Sequence, residues 1–229
     1  MEIKKLTWDT QFFNKEIGEL FLEKAVGFLD IMTQNFELIV VKQLQDFEVG
    51  INGFEETFKE TKVIFLKENL TINDNDFFEI KDTDSEEKDL DFFKYLAYES
   101  GKHSRFLLDK KFGEIKFKKF YDEWVINSNN KKFAAKTFYI EEENKAIGFV
   151  TLQQKENEGK IGLIAINPAF QGKGFGKKLL QFTGNYCVKN DITSLEIPTQ
   201  KENRQACNFY EKMGYKIKKQ ELIKHFWKV

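Results

Sequence analysis

Two cysteines in 229 residues, Cys187 and Cys207, are too few for a disulfide framework, and neither belongs to a CxxC pair or stands near a histidine. A disulfide-stapled secreted scaffold is therefore excluded, no zinc-ligand pattern is present, and a reducing, cytoplasmic setting is the expectation. Proline is equally scarce, with only Pro168 and Pro198, which rules out proline-rich linkers and recognition tracts. No run approaches the ~20 uncharged apolar residues that a membrane-spanning helix requires. The opening Met1-Glu2-Ile3-Lys4-Lys5 has no apolar signal-peptide core, so neither membrane insertion nor export is expected. Charge of one sign is also missing: 36 Lys+Arg stand against 37 Asp+Glu, a net of −1, and no nucleic-acid or membrane-surface partner is expected. Arginine, the planar cation suited to bidentate oxyanion binding, occurs only at Arg105 and Arg204.

What is there is ordinary for a globular protein: 41% hydrophobic and 32% charged residues over 229 positions, enough to close a core without metals or disulfides. The balanced charge conceals a split. Residues 1–100 carry 11 basic and 23 acidic side chains, and residues 101–229 carry 25 and 14. An anionic ligand is expected on the second half.

The most polar stretch, Asn69–Asp91, sets a module boundary near residue 75. It predicts a small N-terminal α/β module over 1–75 and a larger domain over 76–229. In the first, Ile17–Glu23, Glu37–Lys42 and Thr61–Lys67 read as strands, and Gly27–Gln34 and Ile51–Thr57 as short helices. In the second, Thr83-x-x-Glu86 reads as a capping box opening a helix over Glu86–Glu99, and Ile115–Ile126 repeats the helical period. Ala134–Glu141, Ala146–Gln154 and Lys160–Ile166 form an expected antiparallel meander. Gly174–Lys189 and Glu202–Met213 follow as helices with Ser194–Ile197 as a strand between them. Tyr215–Val229 can supply two final strands, whose exposed edges leave a homodimer open.

The segment Ile164–Lys177 runs from a strand through Asn167-Pro168-Ala169-Phe170-Gln171-Gly172-Lys173-Gly174-Phe175-Gly176 into a helix. Glycines let a backbone approach an anion and donate several amides, and a helix N-terminus adds partial positive charge. A simple turn would also use glycines there. The spacing is neither GxGxxG nor GxxxxGK[ST], which weakens hydride-transfer and phosphoryl-transfer readings. Gln171-x-x-Gly174-x-Gly176 resembles the acetyl-CoA pyrophosphate loop of the GNAT N-acetyltransferases, and Asn203-x-x-Ala206-x-x-Phe209-Tyr210-x-x-x-Gly214-Tyr215 is similar to that family's last helix.

The resemblance implies a mixed α/β sheet with two splayed central strands, here Lys160–Ile166 and Ser194–Ile197, and acetyl-CoA as cofactor. Pantetheine would pair near Ile164 and Ile166, the phosphates would meet Gln171, Gly172, Lys173, Gly174, Phe175, Gly176 and Lys177, and Asn203 would flank the thioester. Tyr210 would be the general acid; from its spacing alone it is equally a core aromatic beside Ala206, Phe209 and Met213. Both prolines would stand just past the ends of the two splayed strands. The general base is not readable: Glu196, His103 and His225 are candidates, each with an ordinary structural alternative.

The acceptor is expected to be a small-molecule amine. Leu6-Thr7-Trp8-Asp9-Thr10-Gln11-Phe12-Phe13-Asn14-Lys15-Glu16-Ile17-Gly18 resembles the opening of the dTDP-fucosamine acetyltransferases, and Ser104-Arg105-Phe106 with Asp109, Phe112 and Tyr121-x-x-Trp124-x-x-x-Ser128 is similar to the helix pair that shapes their acceptor pocket. The resemblance implies a nucleotide-linked amino sugar and places Phe12, Phe13, His103 and Arg105 at the acceptor. Arg105 could grip a diphosphate bidentately, or sit in a surface ion pair. Trp8, Phe12 and Phe13 could instead be a hydrophobic plug. The alternatives in function are another amine (a protein N-terminus, an amino acid, a polyamine) or a non-catalytic acyl-CoA-binding module.

Overall fold

The computed structural model describes residues 2–29, 33, 35–73, 79–85 and 90–229, with Ser85 described in its backbone alone. The chain opens with β1 (Lys4–Lys5), α1 (Thr7–Phe13), β2 (Ile17–Leu22), β3 (Gly27–Leu29), β4 (Leu38–Gln43), β5 (Val49–Ile51) and the long β6 (Phe54–Glu68). Then come β7 (Ile80–Asp82), α2 (Leu90–Ser100), α3 (Arg105–Leu108), α4 (Glu114–Asn129), β8 (Lys136–Glu142), β9 (Lys145–Lys155) and β10 (Glu158–Ile166). The chain closes with α5 (Phe175–Lys189), β11 (Ser194–Gln200), α6 (Arg204–Lys212) and β12 (Lys216–Lys228). One mixed sheet takes the order β1-β2-β4-β12-β6-β11-β10-β9-β8-β7, and β3 pairs with β5 alongside it.

The boundary expected near residue 75 falls among residues outside the described set, and strands from both sides of it share this sheet. β6, from the first 75 residues, lies between β11 and β12. Three expectations are corrected. Ile51–Thr57 is not helical: Asn52-Gly53 turns the chain, with Gly53 at φ +76, and β6 begins at Phe54. Of Gly27–Gln34, residues 27–29 are strand and 30–32 and 34 are not described. Tyr215–Val229 supplies one strand with bulges between Ile217 and Lys219 and between His225 and Phe226, not two strands. That strand lies in the interior of the sheet, paired with β4 and β6, so it offers no edge for a dimer. Its exposed stretch 216–220 followed by the wholly buried 221–227 mimics a break in the sequence pattern. The Glu86 end of the expected capping box lies outside the described residues.

The meander positions the site. Tyr139 and Phe149 enter one cluster with Phe93, Leu96 and Phe117 of α2 and α4, whereas Phe138 and Val150 enter another with Leu179 and Leu180 of α5. The period of two thus covers both faces of the sheet with helices. In β10 that alternation is reset. Ile161 joins the α5 cluster while Leu163 and Ala165 join the other, because a register shift between Ile161 and Ile164 interrupts pairing with β9. The bulge re-aims the rest of the strand.

β10 and β11 pair in parallel only from Glu158↔Ser194 to Lys160↔Glu196. Beyond that the strands part, as the resemblance implied. Pro198 stands inside β11, opposite Ile64 of β6, and not past its end. There β11 has a partner along one edge only, and the missing amide hydrogen of proline is tolerated.

Candidate active site

The gap between β10 and β11 opens into a cavity of about 910 Å³. One wall is mostly backbone. Ile161 to Ile166 of β10 line it, followed by Gln171, Gly172, Gly174, Phe175, Gly176 and Lys177. Gly172 and Gly174 have φ of +77 and +87, a region that L side chains adopt at a cost, and a Cβ built on either would meet nothing within 4 Å. The amides of residues 172–177 find no acceptor among the described residues; the first helical bond at this end is from the Lys178 amide to Gly174 O, 3.1 Å. A loop that curls glycine amides toward open space at the start of the 15-residue α5 is built for an anion.

Side chains lock this wall in place. Gln171 Nε2 donates to Ile166 O (3.1 Å), and its Oε1 accepts from Gln205 Nε2 of α6 (3.2 Å). Asn203 Oδ1 accepts from the Ala206 amide (3.2 Å) and caps α6 while lining the cavity. The cap aims α6 so that Tyr210 also lines the cavity. Tyr210 is 5% exposed, packed on Phe65 and Phe209, and its hydroxyl bonds to no described residue. Burial pushes its pKa above the usual phenol range, which keeps the proton on the oxygen at neutral pH.

The facing wall is built from side chains of distant segments. Glu60 and Lys62, two apart on β6, share a face and line the cavity with Trp8 and Asp9 of α1, His103, Arg105 of α3, and Tyr121 and Trp124 of α4. Glu60 is 6% exposed, and its Oε2 has no hydrogen-bond partner. Burial pushes its pKa up to about 7 against the pull of the Arg105 charge, so near neutral pH it exchanges a proton readily. Burial likewise raises Asp9. Lys62 is pushed down to about 8, first by burial and then by Lys160, Arg105 and Lys42.

Most of the residues read from sequence converge here: Ile164, Ile166, Gln171, Gly172, Gly174, Phe175, Gly176, Lys177, Asn203, Tyr210, His103 and Arg105 all line the cavity. Lys173 does not; its ammonium sits over the Phe170 ring. Phe12 and Phe13 do not either. Phe13 is 1% exposed and stacks on Phe106, and Phe12 stacks on Trp8, so the plug describes them and burial of apolar surface is the reason. Of the base candidates, Glu196 pairs with Lys218 at 2.5 Å and His225 is fully buried on Asp109 at 2.6 Å; neither lines the cavity. Glu60 was missed, because it sits in the stretch Phe54–Thr61, where charged residues alternate without a motif. Among the described residues no cluster of His, Cys, Asp and Glu could hold a metal ion, and no helix is long and apolar enough to cross a membrane.

Residues 76–215 match the profile described as the acetyltransferase (GNAT) family. The spore coat polysaccharide biosynthesis protein SpsD of Bacillus subtilis is 25% identical over 132 residues, 58% of this chain and 45% of that protein. The uncharacterized N-acetyltransferase MJ1207 of Methanocaldococcus jannaschii is 26% identical over 144 residues, 59% of each. The chain therefore spans about half the length of the curated relatives it matches. A putative GNAT acetyltransferase from Novosphingobium aromaticivorans superposes with a TM-score of 0.55 at 10% identity, covering 84% of this chain and 74% of that one; this likeness is one of fold.

Proposed function

The chain belongs to the acetyltransferase (GNAT) family, and from that premise we propose that it transfers an acetyl group from acetyl-CoA to the amine of a nucleotide-linked amino sugar. The observation that carries the reading is one cavity joining a loop of free amides, a strand edge without a partner, a protonated phenol and a carboxylate that titrates near pH 7. The donor wall fits acetyl-CoA: the amides of 172–177 and the start of α5 would hold the pyrophosphate, and the open edge of β10 at Ile164 and Ile166 offers hydrogen bonds to an extended amide chain. Acetyl-CoA, when bound, supplies an acyl group activated as a thioester.

The remaining roles fall to side chains. An ammonium cannot attack, so a proton must leave the acceptor. Glu60, ionised above about pH 7, lines the acceptor wall and can take it, directly or through a water; of the base candidates read from sequence, His103 also lines the cavity. Tyr210, held protonated by burial, also lines the cavity and can give its proton to the departing sulfur. The two sites are tuned in opposite directions: a carboxylate made more basic and a phenol kept as an acid.

For the acceptor, the opening segment through Ile17 and the polysaccharide named in the SpsD description support a sugar. The residues before 76 then act as the acceptor-side module, contributing Trp8, Asp9, Glu60 and Lys62. The test is thiol release from acetyl-CoA against a panel of dTDP- and UDP-linked amino sugars, polyamines and peptides. Turnover with amino sugars supports the reading. Turnover of peptides or polyamines alone overturns the acceptor, and cofactor binding without turnover of any amine points to an acyl-CoA-binding module.

A further inference from the structure

The acceptor wall holds more positive charge than its own acids balance. Five basic side chains line it, Lys42, Lys62, Lys102, His103 and Arg105, and Lys160 of β10 adjoins them. Lys42 is paired with Glu19, and Lys102 with Glu99 at 2.5 Å. Lys62, Lys160 and Arg105 have no carboxylate within ion-pair reach among the described residues. The Arg105 Nη1 is buried and makes no hydrogen bond, although a guanidinium carries five donors and a buried one left empty is costly.

These groups converge from three elements. Lys62 enters from β6, Lys160 from the last position at which β10 still pairs with β11, and Arg105 from the first turn of α3. Arg105 is held there firmly. Ser104 caps α3 by accepting from the Phe106 amide at 3.2 Å. At its other end Asp109 is pinned by Trp227 Nε1 (2.8 Å) and His225 Nδ1 (2.6 Å) in the core. The mutual repulsion shows in Lys62, whose pKa is lowered by burial and then by its two cationic neighbours and Lys42. An anion placed among the three would supply the missing partner to the guanidinium and relieve the repulsion.

We propose that Lys62, Lys160 and Arg105 form an anion subsite that receives the phosphate or diphosphate of the acceptor, separate from the loop at 172–177 that serves the donor. This rests on the reading of the cavity as an acetyl-transfer site. Three cations, none in ion-pair contact with a carboxylate among the described residues, match a multiply charged phosphate group better than a single carboxylate. Position supports it as well. Lys62 follows Glu60 by two residues on the same face of β6, a spacing of roughly 7 Å along a strand. That is about the reach between an amine and a phosphate carried on opposite sides of one hexose ring. The anion would thus set the distance at which the amine meets Glu60, making Lys62 and Arg105 specificity determinants.

The experiment is calorimetric titration of the full chain saturated with CoA, so that the donor loop is filled, using inorganic pyrophosphate and dTDP as probes. The wild type is expected to bind both, dTDP in a salt-dependent manner. Lys62→Met and Arg105→Gln should each weaken dTDP at least tenfold while leaving the affinity for CoA within twofold. Lys177→Gln should weaken CoA a few-fold at low salt and leave dTDP unchanged, and Lys62→Arg should retain dTDP binding. A CoA-saturated wild type that ignores millimolar pyrophosphate and dTDP overturns the subsite, as does dTDP binding that none of the acceptor-wall substitutions alters. Should Lys62→Met lose its fold by circular dichroism, Lys160→Gln and Lys62→Arg still decide the matter. Failure of the wider reading looks different: there CoA itself does not bind, or no amine, phosphorylated or not, releases thiol.

Discussion

The two walls of the cavity are made in different ways. The donor wall is a continuous stretch of chain, from the bulge in β10 through Gly174 to Lys177, and its binding groups are backbone amides. The acceptor wall is assembled from α1, β6, α3 and α4, and its groups are carboxylates, amines and rings on side chains. Backbone recognition demands a particular path of the chain, hence glycines at positive φ at fixed spacing. Side-chain recognition demands only that certain residues meet in space. One wall is constrained in conformation and the other in composition, so substitutions should damage them in different currencies.

The largest break is expected at Glu60. Glu60→Gln should lower kcat by ~10²–10³-fold while leaving CoA affinity intact, read by steady-state kinetics and titration. In the wild type, activity should fall as pH drops through about 7, where Glu60 takes up its proton, and this limb should vanish in the variant. Stability should move the other way. A carboxylate whose folded pKa lies above its unfolded value is protonated more tightly in the folded state, so its ionisation costs stability as pH rises from about 4.5 to about 7. Glu60→Gln should therefore melt higher than the wild type at pH 8 and gain nothing at pH 4.

Tyr210→Phe comes next, since the phenol lines the cavity and its proposed role is in the chemistry rather than in holding the donor. It should reduce kcat by ~10–100-fold without changing CoA affinity, and the packing on Phe65 and Phe209 should hold the melting temperature near that of the wild type. An unchanged rate would remove the phenol from the reaction. Gly174→Ala sharpens the contrast between walls. No atom lies where its Cβ would go, so any loss arises from φ +87 alone, about 1 kcal/mol of stability. The KM for acetyl-CoA should rise several-fold and kcat should change less. Smallest is Lys177→Gln, on an exposed side chain: a few-fold loss of CoA affinity at low salt that disappears as ionic strength rises.

The difference between the walls also accounts for what could be read in the sequence. The loop from Gln171 to Gly176 and the helix carrying Asn203 and Tyr210 were legible because conformation leaves its mark at fixed spacing, and they converge on one cavity. The meander and its flanking helices were legible from their periods. Glu60 and Lys62 were not, because in Glu55–Lys62 charged residues recur without any spacing that separates a solvated face from a buried one. Only the placement of β6 between β11 and β12 turns that face toward the cavity. Phe13 was misplaced for a related reason: an aromatic at the acceptor and an aromatic in the core look alike until burial tells them apart. The helix expected over Ile51–Thr57 hid a signal that was present, the Asn52-Gly53 pair.

The place of β12 also bears on how the molecule is made. It is the last strand in the sequence, yet its partners are β4 and β6, which precede it by most of the chain. Until it is in place, β4 with its apolar run Leu38–Val41 is paired with β2 alone, and β6, which carries Glu60, with β11 alone. Closure waits for contacts of very long sequence separation, a topology associated with slow folding and with transiently open strand edges. During synthesis on the ribosome the sheet would stay in two parts until β12 emerges. Aggregation should therefore compete most strongly at that stage, and lower temperature, which weakens association through apolar surface, should favour the soluble product.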